Sequence, residues 1–128
     1  MNGTGAYAPQ GLHVLADLVD ADPARLADAA GIEREARRAA ELAGATVLRS
    51  EVHGFGPGQG VAGVVLLAES HLTFHTWPEH GYAALDAFMC GACRPQAAID
   101  HLVRALGARS VRVQTVERGR LPAPPQIG

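Results

Sequence analysis

No stretch of this sequence carries the ~20 consecutive apolar residues that a bilayer-spanning helix needs, so no membrane partner is expected. Basic runs are missing too. With 11 basic and 13 acidic side chains the net charge is −2, which leaves no electrostatic footprint for nucleic acid. Residues 1–10 are glycine-rich and polar and lack the basic and apolar regions of a secretory leader, so the expected compartment is the cytoplasm. Cysteine is scarce. Cys90 and Cys93 form a lone C-x-x-C with no second pair to complete a zinc site and no thioredoxin-like surroundings, so no metal site is expected. The glycine-rich segment His53-Gly-Phe-Gly-Pro-Gly-Gln-Gly60 has neither the spacing nor the lysine of a phosphate loop. Its glycines instead predict a tight turn, or a backbone that lets a ligand approach Phe55. There are no solenoid-type repeats.

What is present reads as one α+β domain over residues 11–118, with a flexible segment at 1–10 and a mobile tail at 119–128. Alternation at Leu12, Val14, Ala16 and Leu18 predicts a strand over Gly11–Val19. Asp22-Pro23 starts a helix, an acid to cap the free N–H groups and a proline with no N–H to lose. The Ala-rich stretch continues it to about Ala43, with a bend at Gly31, a solvated face that includes Glu33 and Arg37, and a stop at Gly44. Strands are predicted over 45–52 and 61–69. His71–Trp77 and Tyr82–Cys90 flank the turn Pro78-Glu-His-Gly81 and should form a hairpin. A second helix runs from Arg94-Pro95 to Leu106 and a last strand over 109–116. The expected architecture is a two-layer sandwich, an antiparallel sheet with two helices on one face.

Parity in the hairpin separates two surfaces. Ala83, Leu85, Ala87 and Met89 share one face, suited to helices; Tyr82, Asp86, Phe88 and Cys90 share the other. Pairing Trp77 with Tyr82 sets His75, Thr73 and His71 beside Ala84, Asp86 and Phe88 on that second face. Aromatic and titratable groups mixed in this way predict a dimer interface about a two-fold axis. The same register brings Cys90 opposite Glu69, their Cα atoms about 5 Å apart, and so next to Ser70. His75 is five extended residues from Ser70, about 16 Å, too far for proton transfer within one subunit. Along a strand His71 and His75 are ~13 Å apart, too far to share a metal.

The stretch Glu69-Ser-His-Leu-Thr-Phe-His-Thr-Trp-Pro-Glu-His-Gly-Tyr-Ala-Ala84, followed by Phe88-Met-Cys90-Gly91, resembles the prokaryotic short-type pyruvoyl-dependent S-adenosylmethionine decarboxylases. The resemblance runs from Gly11-Leu-His13 to Glu117-Arg-Gly119. It implies a proenzyme that cuts itself between Glu69 and Ser70, the Ser70 hydroxyl attacking the Glu69 carbonyl and β-elimination then leaving a pyruvoyl group on the new chain end. It implies decarboxylation of S-adenosylmethionine through a Schiff base on that ketone, giving the aminopropyl donor for spermidine. Cys90 matches the acid that protonates the carbanion, and His75 the processing histidine supplied by the other subunit. Glu79 matches the carboxylate that holds the substrate ribose, and Phe55 the ring that stacks on adenine. Most members of that family carry a hydroxyl residue where this chain has Ala62, in Gly60-Val-Ala62-Gly63. Two alternatives stay open on the sequence: the same chemistry on arginine or ornithine, or an uncleaved, non-enzymatic dimeric binding domain.

Overall fold

In the computed structural model, which describes residues 9–121, the alternation of the first strand is realised as read. β1 (Gly11–Val19) buries Val14, Ala16 and Leu18 and turns His13, Leu15 and Asp17 the other way. The flexible segment and mobile tail expected at the two ends lie largely outside the described residues.

The helix expected from Asp22 to Ala43 is two helices. α1 (Pro23–Leu26) starts on Asp22, whose side chain accepts from the Ala24 N–H, with proline in the first turn. α2 (Ala29–Leu42) restarts on Asp28, whose carboxylate accepts from the Gly31 N–H at 3.0 Å. A second capping acid inside the Ala-rich run thus ends the first helix before the second begins. The bend expected at Gly31 falls earlier in the chain. Gly31 receives the cap, and a Cβ there would lie 2.2 Å from Asp28 Oδ2. Gly44, at φ +88°, follows the end of α2 as expected. On the charged face Glu33 and Arg37 meet through Ser50, whose hydroxyl donates to Glu33 and accepts from Arg37.

The remaining elements are β2 (Val47–Gly54), β3 (Val61–Leu67), β4 (Ser70–Trp77), β5 (Tyr82–Cys90), α3 (Pro95–Ala105) and β6 (Ser110–Arg118). The strands form one six-stranded sheet in the order β2-β3-β4-β5-β1-β6, and every neighbouring pair is antiparallel. β4 and β5 are joined by the 3₁₀ turn Pro78–His80 and by Gly81 at φ +59°, a left-handed position that suits glycine. Trp77 pairs with Tyr82, so the hairpin has the register read from the sequence.

The helix-facing side of the sheet is the core. Leu72, Phe74, Ala83, Leu85, Ala87 and Met89 are buried with Ile32, Ala36 and Ala39 of α2 and Ala98, Ile99 and Leu102 of α3. Small alanines on α2 let its axis approach the sheet closely, and each large aliphatic buried contributes roughly 1.5–3 kcal/mol. The buried Thr76 hydroxyl donates to the Leu26 carbonyl at 2.7 Å and accepts from the Val61 N–H at 2.9 Å, tying the end of α1 to β3 and β4.

The opposite face is laid out in rows across the strands. One row runs Leu66, His71, Phe88, His13, Val116; the next Val64, Thr73, Asp86, Leu15, Gln114; the third Ala62, His75, Ala84, Asp17, Arg112. Leu15 and Leu66 on this face are 40% and 44% exposed. Among the described residues no helix is long and apolar enough to cross a membrane.

Candidate active site

β3 and β4 are joined by only Ala68 and Glu69, with Leu67 paired to Ser70. So short a connection forces Ser70 to φ +138°, a region that side-chain-bearing residues avoid. A non-glycine residue held there carries strain of about 1–3 kcal/mol and persists only where its surroundings over-determine it. The surroundings do so here. Glu69 is buried; its carboxylate accepts from the Thr46 N–H at 2.8 Å and from the Thr46 hydroxyl at 3.1 Å. The Ala68 N–H donates to the Thr46 carbonyl at 3.0 Å. On the other side, the Cys90 N–H donates to the Glu69 carbonyl at 3.0 Å. The peptide bond between Glu69 and Ser70 is therefore clamped on one flank by Thr46 and on the other by the end of β5. Replacing Thr46 by valine should lower stability by about 1 kcal/mol, the worth of one hydrogen bond, read as a lower urea midpoint.

A backbone N–H aimed at a carbonyl oxygen is the arrangement that stabilises negative charge when that carbonyl is attacked. The nucleophile that could attack is next in the chain, at Ser70. Cys90 follows Met89, the strand partner of Ser70, so its backbone sits beside this junction as the register read from the sequence has it, and its thiol donates to the Pro9 carbonyl at 3.6 Å. Burial, with a smaller push from the Glu69 charge, raises its pKa above the ordinary thiol value. Cys90 thus keeps its proton at neutral pH and is equipped to donate it. Cys93 is raised for the same reasons, first burial and then Glu69.

A third group at this end was not anticipated from sequence. The Ser70 hydroxyl lies 3.2 Å from His71 Nδ1, and His71 Nε2 lies 3.0 Å from Asp86 Oδ2. His13 Nε2 reaches the same carboxylate oxygen at 2.6 Å, and the Thr73 hydroxyl donates to Asp86 Oδ1. Burial alone would raise the Asp86 pKa, but the hydrogen bonds from Thr73, His13 and His71 together outweigh it and hold the group below the usual carboxylate range. The ligand atoms of His13, His71 and Asp86 lie within 4.8 Å of one another, close enough for a divalent ion. In this structure they satisfy one another instead.

The other residues singled out by sequence lie at the far end of β4. His75 is exposed and stacks on Trp77, with ring centroids 4.1 Å apart, and Phe55 from the glycine-rich loop also stacks against it at 5.9 Å. Trp77 packs in turn against Tyr82. Ala62 is the strand neighbour of His75. Glu79 is exposed on the turn that follows. Within one protomer, then, Glu69, Ser70 and Cys90 lie at one end of the β4–β5 hairpin, whereas His75 lies five extended residues from Ser70, about 16 Å, with Phe55 beside it and Glu79 on the turn beyond. A shallow depression of about 320 Å³, lined by His13, Thr73, His75, Asp86 and their neighbours, lies between the two ends.

Fold and site together define an α+β sandwich whose reactive groups sit on the sheet face away from its helices, around a strained serine at a strand junction. Residues 12–119 match the family described as S-adenosylmethionine decarboxylase, and the chain belongs to that family. It is 48% identical over 111 residues to a protein of Thermotoga petrophila named S-adenosylmethionine decarboxylase proenzyme, covering 86% of this chain and 85% of that one. Relatives of the same name from Prochlorococcus marinus and Anoxybacillus flavithermus are 46% and 42% identical, covering 84% and 88% of this chain and 86% and 90% of theirs. Among solved structures, the adenosylmethionine decarboxylase of Aquifex aeolicus superposes with a TM-score of 0.80 at 35% identity, over 93% of this chain and 98% of that one.

Proposed function

We propose that this chain is a cytoplasmic proenzyme that cuts itself between Glu69 and Ser70, converts Ser70 to a pyruvoyl group, and then decarboxylates S-adenosylmethionine. The observation that carries this reading is the peptide bond itself: a serine at φ +138° whose preceding carbonyl already accepts a hydrogen bond from the Cys90 N–H at 3.0 Å. Attack of the Ser70 hydroxyl moves the Glu69 acyl group from nitrogen to oxygen. Elimination of that ester, followed by hydrolysis that consumes water and releases the Ser70 nitrogen as ammonia, leaves residues 1–69 as one chain and residues 70–128, headed by pyruvoyl, as the other. Only a side chain with a heteroatom on Cβ can follow this route. The 128 residues contain no lysine, the side chain that anchors pyridoxal phosphate, which fits a carbonyl made from the chain itself.

The ketone supplies an electron sink when the substrate carboxylate leaves as carbon dioxide. Cys90, protonated at neutral pH and beside Ser70, returns a proton to the substrate carbon. Phe55, half exposed and stacked on an imidazole, offers a ring face for adenine, and Glu79 a carboxylate for the ribose hydroxyls. His75 serves the elimination step from across a dimer interface. A two-fold axis passing near Thr73 would lay the Ser70 end of one β4 against the His75 end of its partner's, and the exposed apolar residues Leu15, Val64 and Leu66 would be covered in the process.

Denaturing mass spectrometry is the test. Two chains breaking at Glu69–Ser70, the second shifted in mass by borohydride, with carbon dioxide released from carboxyl-labelled S-adenosylmethionine, are expected. A single chain after long incubation would sink the reading, and release from labelled arginine or ornithine instead would change the substrate. Replacing Cys90 by alanine should lower turnover about 100-fold, the usual worth of a positioned acid. Because the thiol pKa is raised, wild-type turnover should fall only at pH above the ordinary thiol range, and the Cys90→Ala profile should lose that alkaline limb.

A further inference from the structure

His71, Asp86 and His13 have no part in the chemistry derived so far, yet they are wired directly to the reacting hydroxyl. Neighbouring residues on a regular strand point to opposite faces, so Ser70 and His71 should not meet. The φ of +138° at Ser70 breaks the alternation, and hydroxyl and imidazole come to 3.2 Å. We propose, resting on the self-cleavage reading, that His71 is the base that takes the Ser70 hydroxyl proton, with Asp86 as the residue that positions it.

The hydrogen-bond network fixes the tautomers. Arg118 Nη1 lies 3.2 Å from His13 Nδ1, and a guanidinium can only donate, so His13 Nδ1 is the acceptor and its Nε2–H faces Asp86. Asp86 is ionised and accepts only, so His71 also presents Nε2–H to it, leaving the Nδ1 lone pair toward Ser70. This is the logic of a serine–histidine–aspartate triad, with a neighbouring peptide bond as the target.

The proton balance closes without any further reactant. As the Ser70 Oγ bonds to the Glu69 carbonyl carbon, its proton passes to His71 Nδ1, and the carbonyl electron pair moves to the oxygen held by the Cys90 N–H. When the bond from that carbon to the Ser70 nitrogen breaks, the nitrogen leaves with the electron pair and takes the proton from His71. An ester and an amine replace an amide and an alcohol, and His71 is neutral again. Meanwhile the Asp86 charge stabilises the transient imidazolium. The charged and titratable groups around His71 are Asp86 of β5, His13 of β1 with Arg118 of β6 behind it, Arg49 of β2 at the end of the same row, and Cys90 at the end of β5.

The experiment follows cleavage of freshly synthesised full-length chain on denaturing gels over time and pH. The wild-type rate should rise with pH and then level off, the profile of a reaction that needs an unprotonated base. His71→Ala should cut at least ~100-fold more slowly, in the range for a lost general base, should lack that rise, and should regain part of the rate with added imidazole. Asp86→Asn, chosen to keep the shape, should be slower by about 10-fold or more. Its pH profile should also differ in shape from the wild type, whereas a merely structural loss would lower the rate evenly across pH. Hydroxylamine, which cleaves esters, should split a stalled His75→Ala chain far more than His71→Ala, in which little ester accumulates. His71→Ala cutting at the wild-type rate with an unchanged pH rise would overturn the assignment and leave self-cleavage standing. Should His71→Ala melt at room temperature, an Asp86→Asn chain with wild-type rate and profile would overturn it equally. A wild-type chain that never cuts would remove both readings.

Discussion

A Ser70→Ala chain is expected to stay in one piece. Alanine has no Cβ heteroatom, so neither acyl transfer nor elimination is available, and no ketone forms however well the clamp is built. Mass spectrometry should find the 128-residue chain intact after days, and carbon dioxide release should fall to background, a loss of at least about 10⁴-fold for an enzyme stripped of its electron sink. Folding should be unharmed, and the small side chain relieves none of the backbone strain, which comes from the short Ala68-Glu69 connection. Measurable cleavage at the same bond in Ser70→Ala would mean that a contaminating protease, not the chain, makes the cut.

The second large effect is recovery of activity by mixing two dead proteins. On the proposed roles Ser70→Ala lacks the nucleophile and His75→Ala the processing imidazole, and the two residues sit toward opposite ends of β4. If each site draws Ser70 from one subunit and His75 from the other, a mixed dimer has one complete site and one doubly damaged one. Random pairing of equal amounts makes half the dimers mixed, so co-expression should cut and activate about a quarter of the sites. Neither variant alone should do so. A co-expressed pair that forms mixed dimers, as judged by two affinity tags, yet stays uncut would show that His75 acts within its own subunit.

Much of this arrangement was legible in the residues. The hairpin register followed from its four-residue turn and from parity, and it put Cys90 beside Ser70 and His75 far away. Alternation likewise delimited β1 to its observed ends. The break between α1 and α2 was hidden, because Asp28 in an Ala-rich run looks the same as any residue of a solvated face until its carboxylate is seen on the Gly31 N–H. The Ser70–His71 contact was hidden for a sharper reason. Sequence parity puts adjacent residues on opposite faces, and only the backbone angle at Ser70 overrides it. Asp86 had already been placed on the polar face beside Thr73, but its link to His13 depends on β1 lying between β5 and β6, a pairing that no local pattern announces.

A cut at the proposed Glu69–Ser70 bond would have a consequence, set by the sheet order, for what survives it. Residues before Ser70 supply β1, β2 and β3, and those after it supply β4, β5 and β6, yet the sheet runs β2-β3-β4-β5-β1-β6. The first strand of the leading fragment is therefore threaded between two strands of the trailing one, and three of the five ladders, β3 with β4, β5 with β1 and β1 with β6, bridge the two fragments. Severing the covalent link there would free a chain end at the junction while the interleaved halves stay locked together, so the molecule could spend its own backbone on making a reagent and remain a single folded body.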